Sequence, residues 1–254
     1  MRMDNRRAEM LRVRQEIIDA AGALFARLGY EGTTFSRVAR EMGRPKSVIG
    51  YHLFPSKASL AEAVVSIESA RWRLTVEALE RAQVPRGVER LLSLVLTCAR
   101  DVSRRPERAG AVRLRLDLPV LGIEPRDAFD WAGFTRTCLQ QEPGLDGAPP
   151  AEVEATTELL LDATFGIVLC HATRQGRCTL DARLATLWTS LLQEAGVPGA
   201  AALVARVTAS PLLLDIAAEV EELLRDTEPL PVHRPGGAPL SSGGARPSGR
   251  GTRA

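Results

Sequence analysis

Among the side chains able to do chemistry, those that gather are cations and hydroxyls rather than paired acids and bases. Cys170 and His171 are adjacent in sequence, but neighbours on a helix point about 100° apart, so they form no nucleophile and base couple. Cys98, Cys138, Cys170 and Cys178 contain no CxxC pair, and only His52, His171 and His233 could add nitrogen ligands, so no metal site is expected. No glycine-rich phosphate loop occurs and no cofactor is implied. Together these observations argue against an enzyme. The richest polar cluster is Arg44, Lys46, Ser47, Tyr51 and His52, residue types that meet base edges and phosphates.

The elements that must position this cluster are helical. Good helix formers dominate and apolar residues recur at three- and four-residue spacing up to about residue 227, which predicts an all-α fold. A first helix from roughly Arg7 to Leu28 carries the stripe Ile17, Ala20, Ala21, Leu24 and Phe25 and stops at Gly29. Thr33 and Thr34 offer caps for a short helix from Phe35 to Met42, Gly43 breaks it, and Pro45 should open another running to about His52. Ser56 then caps a long connector to about Gln83. Further helices are expected over Val88 to Val102, Arg108 to Leu116, Phe129 to Gln141, Glu152 to Arg174, Leu180 to Ala195 and Ala201 to Arg225. Arg113, Arg115 and Asp117 are expected on a solvated face or a subunit contact.

Charge is distributed unevenly. Residues 1–57 carry 11 Lys/Arg against 6 Asp/Glu, and residues 58–227 carry 18 against 24, so the basic N-terminal end is the candidate for a polyanionic partner. No apolar run approaches the roughly 18 residues of a membrane span, and the opening MRMDNRRAEMLRVRQ is charged, so a cytoplasmic, nucleoid-associated place is expected. After Glu228 the composition turns to Pro, Gly, Ser and Arg, which predicts a disordered basic tail over 228–254.

Two short helices around a Gly-containing turn have the spacing of a helix-turn-helix, but pattern alone leaves a DNA reader and an ordinary small α-domain both open. The stretches LFARLGYEGTTFSRVAREMG and YHLFPSKASLAEAV resemble the tetracycline-repressor-type (TetR) regulators. The resemblance implies a three-helix DNA-binding domain over 1–55 and a bundle for ligand binding and homodimerisation over 56–227. It further implies that Thr33 and Thr34 bind phosphate, that Lys46, Ser47 and Tyr51 face the groove, and that Lys57 holds phosphate at the next helix N-terminus. Arg44 and His52 join this DNA-facing set by residue type. Two departures stand out: Pro45 replaces the family's usual Ser or Thr cap, and Leu53 is an extra residue before Phe54.

Within that family, RRPERAGAVRLRLD, DAFDWAGFTRTCL and LATLWTSLL resemble the γ-butyrolactone receptors of actinomycetes. This implies a repressor of secondary-metabolism genes on a double-stranded, palindromic operator, released by a small-molecule effector. An orphan pseudo-receptor answering to an antibiotic or to nothing remains open beside it, as does a multidrug-sensing efflux repressor. Trp131, in EPRDAFDW, matches the receptors' pocket tryptophan, and an indole supplies a flat apolar wall and one N–H donor. Trp131 as a plain core residue stays open, and for Trp72 and Trp188 the core is expected. Phe165, Val168 and Leu169 fall to either core or pocket.

Overall fold

The computed structural model describes residues 2–49, 53–173 and 178–226. The tail beyond residue 227 and the predicted groove residues Tyr51 and His52 lie outside them. Ten α-helices and three short 3-10 turns occur among the described residues, with no strand. The N-terminal part comprises α1 (Arg2–Gly32), α2 (Phe35–Glu41) and a 3-10 turn at Lys46–Val48. The bundle follows as α3 (Lys57–Arg81), α4 (Val88–Arg104), α5 (Ala109–Val120), α6 (Trp131–Gln140), α7 (Pro150–Thr173), α8 (Leu180–Glu194), α9 (Ala200–Thr208) and α10 (Leu212–Asp226).

The punctuation mostly follows local chemistry. Gly29, at φ 70° and ψ −177°, breaks the helical path of α1 in a conformation that side chains with a Cβ avoid. Ser56 caps α3 reciprocally: its hydroxyl accepts from the Ser59 amide at 3.0 Å, and the Ser56 amide donates to the Ser59 hydroxyl at 3.1 Å. The single helix expected from Ala201 to Arg225 is instead two, bent by 52° at the break before α10. Pro211 sits in that break, where it lacks an N–H and clashes with a preceding carbonyl.

The larger correction concerns the second helix of the helix-turn-helix. Pro45 is extended (φ −61°, ψ 147°), caps with no side chain, and precedes only the 3-10 turn Lys46–Val48, after which Ile49 leaves helical space at ψ 70°. A regular α-helix therefore does not form over residues 45–49. Its first amides lack the side-chain acceptor that a Ser or Thr would give, and Val48 and Ile49 are β-branched with low helix propensity.

The core runs continuously from the N-terminal helices into the bundle, through Ile17, Phe25, Leu60, Leu79, Leu91, Leu114 and Leu118. Gly22 and Gly110 let α1 and α5 cross at backbone contact. A Cβ on Gly110 would overlap the Gly22 carbonyl oxygen, and one on Gly22 would sit 2.6 Å from the Glu107 carbonyl oxygen.

Candidate DNA interface and ligand cavity

The DNA-facing candidates divide by what already holds them. Lys46 and Ser47 are exposed, as is Thr34, whose hydroxyl accepts from the Arg37 amide at 3.3 Å and caps α2. Arg44 is ion-paired with Glu16 of α1 at 2.7 Å. Lys57 reaches the Tyr30 carbonyl at 3.1 Å and lies over the Tyr30 ring, 4.1 Å from its centroid. Thr33 departs from expectation: it is fully buried and its hydroxyl donates to the Gly29 carbonyl at 2.9 Å. That hydroxyl staples the turn after α1 and is turned away from any phosphate.

Arg113, Arg115 and Asp117, expected on a solvated face or a subunit contact, are half-buried and held by partners within the chain. Asp117 accepts from the Tyr30 amide at 2.7 Å and from Arg113 at 2.8 Å, gripping the end of α1. A Cβ at Gly29 would lie 2.7 Å from the same carboxylate, so this close approach needs glycine as much as the backbone twist does. Arg115 donates to the Phe129 carbonyl at 3.1 Å and stacks over Phe165. Burial pushes its guanidinium below the ordinary arginine value. Thus α5 holds the N-terminal part with one face while Val112, on the same helix, lines a cavity inside the bundle.

That cavity, of about 30 Å³, has an aromatic end and a charged end. Trp131 is buried and packs edge-on against Trp72 at 5.1 Å and Phe165 at 5.7 Å between centroids. Its indole N–H has no hydrogen-bond partner, and neither does the buried hydroxyl of Thr135, one turn along α6. Phe165 and Val168, left to core or pocket, line the cavity and belong to the core, whereas Leu169 packs against the core. Trp188 is a core residue whose N–H donates to the Thr164 hydroxyl at 3.1 Å. Trp72, expected in the core, is part of the cavity wall, and sequence pattern gave no signal for that.

The charged end was not anticipated either. Arg108 pairs with Asp101 at 2.8 Å and with Glu221 of α10 at 2.5 Å, while Arg71 pairs with Glu68 at 3.3 Å and also with Glu221. Burial raises the Glu68 and Asp101 carboxyls above the usual range despite these arginines. Burial alone would raise Glu221 too, but Arg71 and Arg108 hold it below that range.

Residues 17–64 match the model of the bacterial regulatory proteins of the tetR family. Residues 17–64 are thus similar to the N-terminal domain of that family. The A-factor receptor protein of Streptomyces griseus is 25% identical over 196 residues, spanning 76% of this chain and 67% of that relative. CprB, a TetR-family protein of S. coelicolor A3(2), superposes with a TM-score of 0.61 at 25% identity, over 78% of this chain and 99% of CprB. An ArpA-like γ-butyrolactone receptor gives the same TM-score at 24% identity, over 83% of this chain and 99% of that one, which shows the shared fold. Among this chain's described residues no single helix is long and apolar enough to cross a membrane.

Proposed function

We propose that this chain is a ligand-responsive repressor. It binds a palindromic operator as a cytoplasmic homodimer and is released by a small molecule, a γ-butyrolactone-like signal or an antibiotic, to control secondary-metabolism genes. Residues 1–55 read DNA through Thr34, Arg44, Lys46, Ser47, Tyr51 and His52, joined by Lys57 from the start of α3, and the remainder of 56–227 senses the effector. The similarity to an A-factor receptor and to a γ-butyrolactone receptor structure supports the effector class.

One observation carries the reading: α5 carries both cavity-lining Val112 and Asp117, whose carboxylate holds the Tyr30 amide at the end of α1. A space of 30 Å³ is room for about two water-sized spheres, far short of the roughly 300 Å³ of a ligand pocket. An effector must therefore part Trp72, Trp131 and Phe165, and the displaced wall includes α5. Differential affinity for the parted and closed forms is what lets a ligand change DNA binding.

The test is a mobility shift of the purified protein on DNA upstream of its own gene, repeated with γ-butyrolactone- and butenolide-type extracts. A discrete complex dissolved by extract supports the receptor. A complex that ignores every extract favours the orphan pseudo-receptor, and no complex at low salt overturns DNA control altogether.

A further inference from the structure

Arg14, near the middle of α1, is a buried cation that the chain leaves unanswered. It is 9% exposed, and its Nε is enclosed without a hydrogen-bond partner. Its guanidinium lies over the Phe54 ring, 5.5 Å from the centroid, and among the described residues it forms no ion pair. Burial pushes it below the ordinary arginine value, and no carboxylate offsets that. The buried arginines of the bundle differ: Arg71 and Arg108 each hold carboxylates. A guanidinium cannot shed its proton to escape the cost of burial, so the charge at Arg14 persists and calls for a counter-ion.

Arg14 lines a groove of about 530 Å³ where the N-terminal part meets the bundle. Leu53 and Phe54 form its wall on the N-terminal side, Ala63 and Ile67 on α3, and Leu118 and Ile123 at the end of α5 and just beyond. Leu53, the extra residue in the family pattern, is therefore part of this wall. Ser66, more than nine-tenths buried, adds a hydroxyl. The volume falls within the roughly 300 to 1,000 Å³ of small-molecule sites, so no wall has to part. None of these residues lines the cavity inside the bundle.

The other charges of the groove set the size of the anion. Glu124, Arg126 and Asp127 are exposed, where water screens them, and Glu62 is half-buried. One negative charge answers Arg14, whereas a second on the same group would meet three carboxylates against Arg126. We propose that this groove is a second small-molecule site, which takes an amphiphile bearing a single carboxylate. The carboxylate sits on the guanidinium of Arg14, whose forked donors match it, and the apolar body lies along Leu53, Phe54, Ile67 and Leu118. A neutral effector in the bundle cavity and an anion in the groove occupy separate places.

Calorimetric titration of the full-length protein with octanoate, octanol and octyl phosphate reads the preference directly. Octanoate should bind about tenfold or more tightly than octanol, the scale of a buried hydrogen bond to a charged group, and octyl phosphate should bind more weakly than octanoate. Arg14→Met keeps an unbranched stem against Phe54 and should bring octanoate to the level of octanol, with octanol itself within about twofold of its value in the unaltered chain. Octanoate no tighter than octanol, a preference that survives in Arg14→Met, or binding of none of the three overturns the inference. Octyl phosphate as tight as octanoate overturns the assignment to a single charge. Should Arg14→Met fail to fold, the comparison of octanoate with octanol in the unaltered chain decides.

Discussion

The DNA-facing edge and the cavity dispose their polar groups in opposite ways. At the edge, Lys46, Ser47 and Thr34 are exposed, so their chemistry is open to a partner as the chain stands. In the cavity, Glu68, Arg71, Asp101 and Arg108 are buried, and the Trp131 N–H is enclosed without a partner. The difference teaches where the conformational cost falls in the proposed function: DNA would be met by the resting form, whereas an effector would first have to open the bundle. Between the two lies the seam of α1 and α5, where Gly22 meets Gly110 and Asp117 meets Tyr30. Packed at backbone contact, the seam can only pass a displacement on, because close-packed interiors do not absorb one gradually.

The comparison breaks most completely at the seam itself. Gly110→Ala puts a methyl group into the Gly22 carbonyl and should destabilise the chain by about 3 kcal/mol, read as a lowered thermal midpoint, with loss of operator binding. Next in size, Trp131→Phe keeps the aromatic wall but removes its N–H. About tenfold more effector should then be needed to dissolve the operator complex, with operator affinity itself unchanged. Asp117→Asn weakens the hold on the Tyr30 amide and should cut the effector's influence on operator affinity by about fivefold, measured as the ratio of affinities with and without effector. The smallest effect belongs to the edge. Lys57→Ala should weaken operator and random DNA alike and flatten the slope of log affinity against log salt by about 0.9, that of one phosphate contact.

Much of this was legible in the sequence wherever a local rule decides structure. Gly29 ends the straight path of α1, and Ser56 with Ser59 starts α3, because turn geometry and caps depend on near neighbours. Trp131, which resembles the receptors' pocket tryptophan by its place in EPRDAFDW, lines the cavity wall and belongs to the core as well. What could not be read depends on partners far along the chain. Glu221 meets Arg71 and Arg108 across 150 and 113 residues, and Asp117 meets Tyr30 across 87, separations at which no helical period carries a signal. The resemblance implied a phosphate ligand at Thr33, yet its hydroxyl donates to the Gly29 carbonyl four residues before it. Over residues 45–49 a 3-10 turn stands where a helix was expected, for a reason already visible: Pro45 offers no side-chain cap.

Hydrogen exchange at the Tyr30 amide, with and without the effector that dissolves the operator complex, tests most directly the claim that the cavity speaks to DNA through α5. Effector binding should loosen the grip of Asp117 and speed exchange at this amide by about tenfold, the scale of one net hydrogen bond. An effector that releases the operator while Tyr30 keeps its full protection would contradict the account.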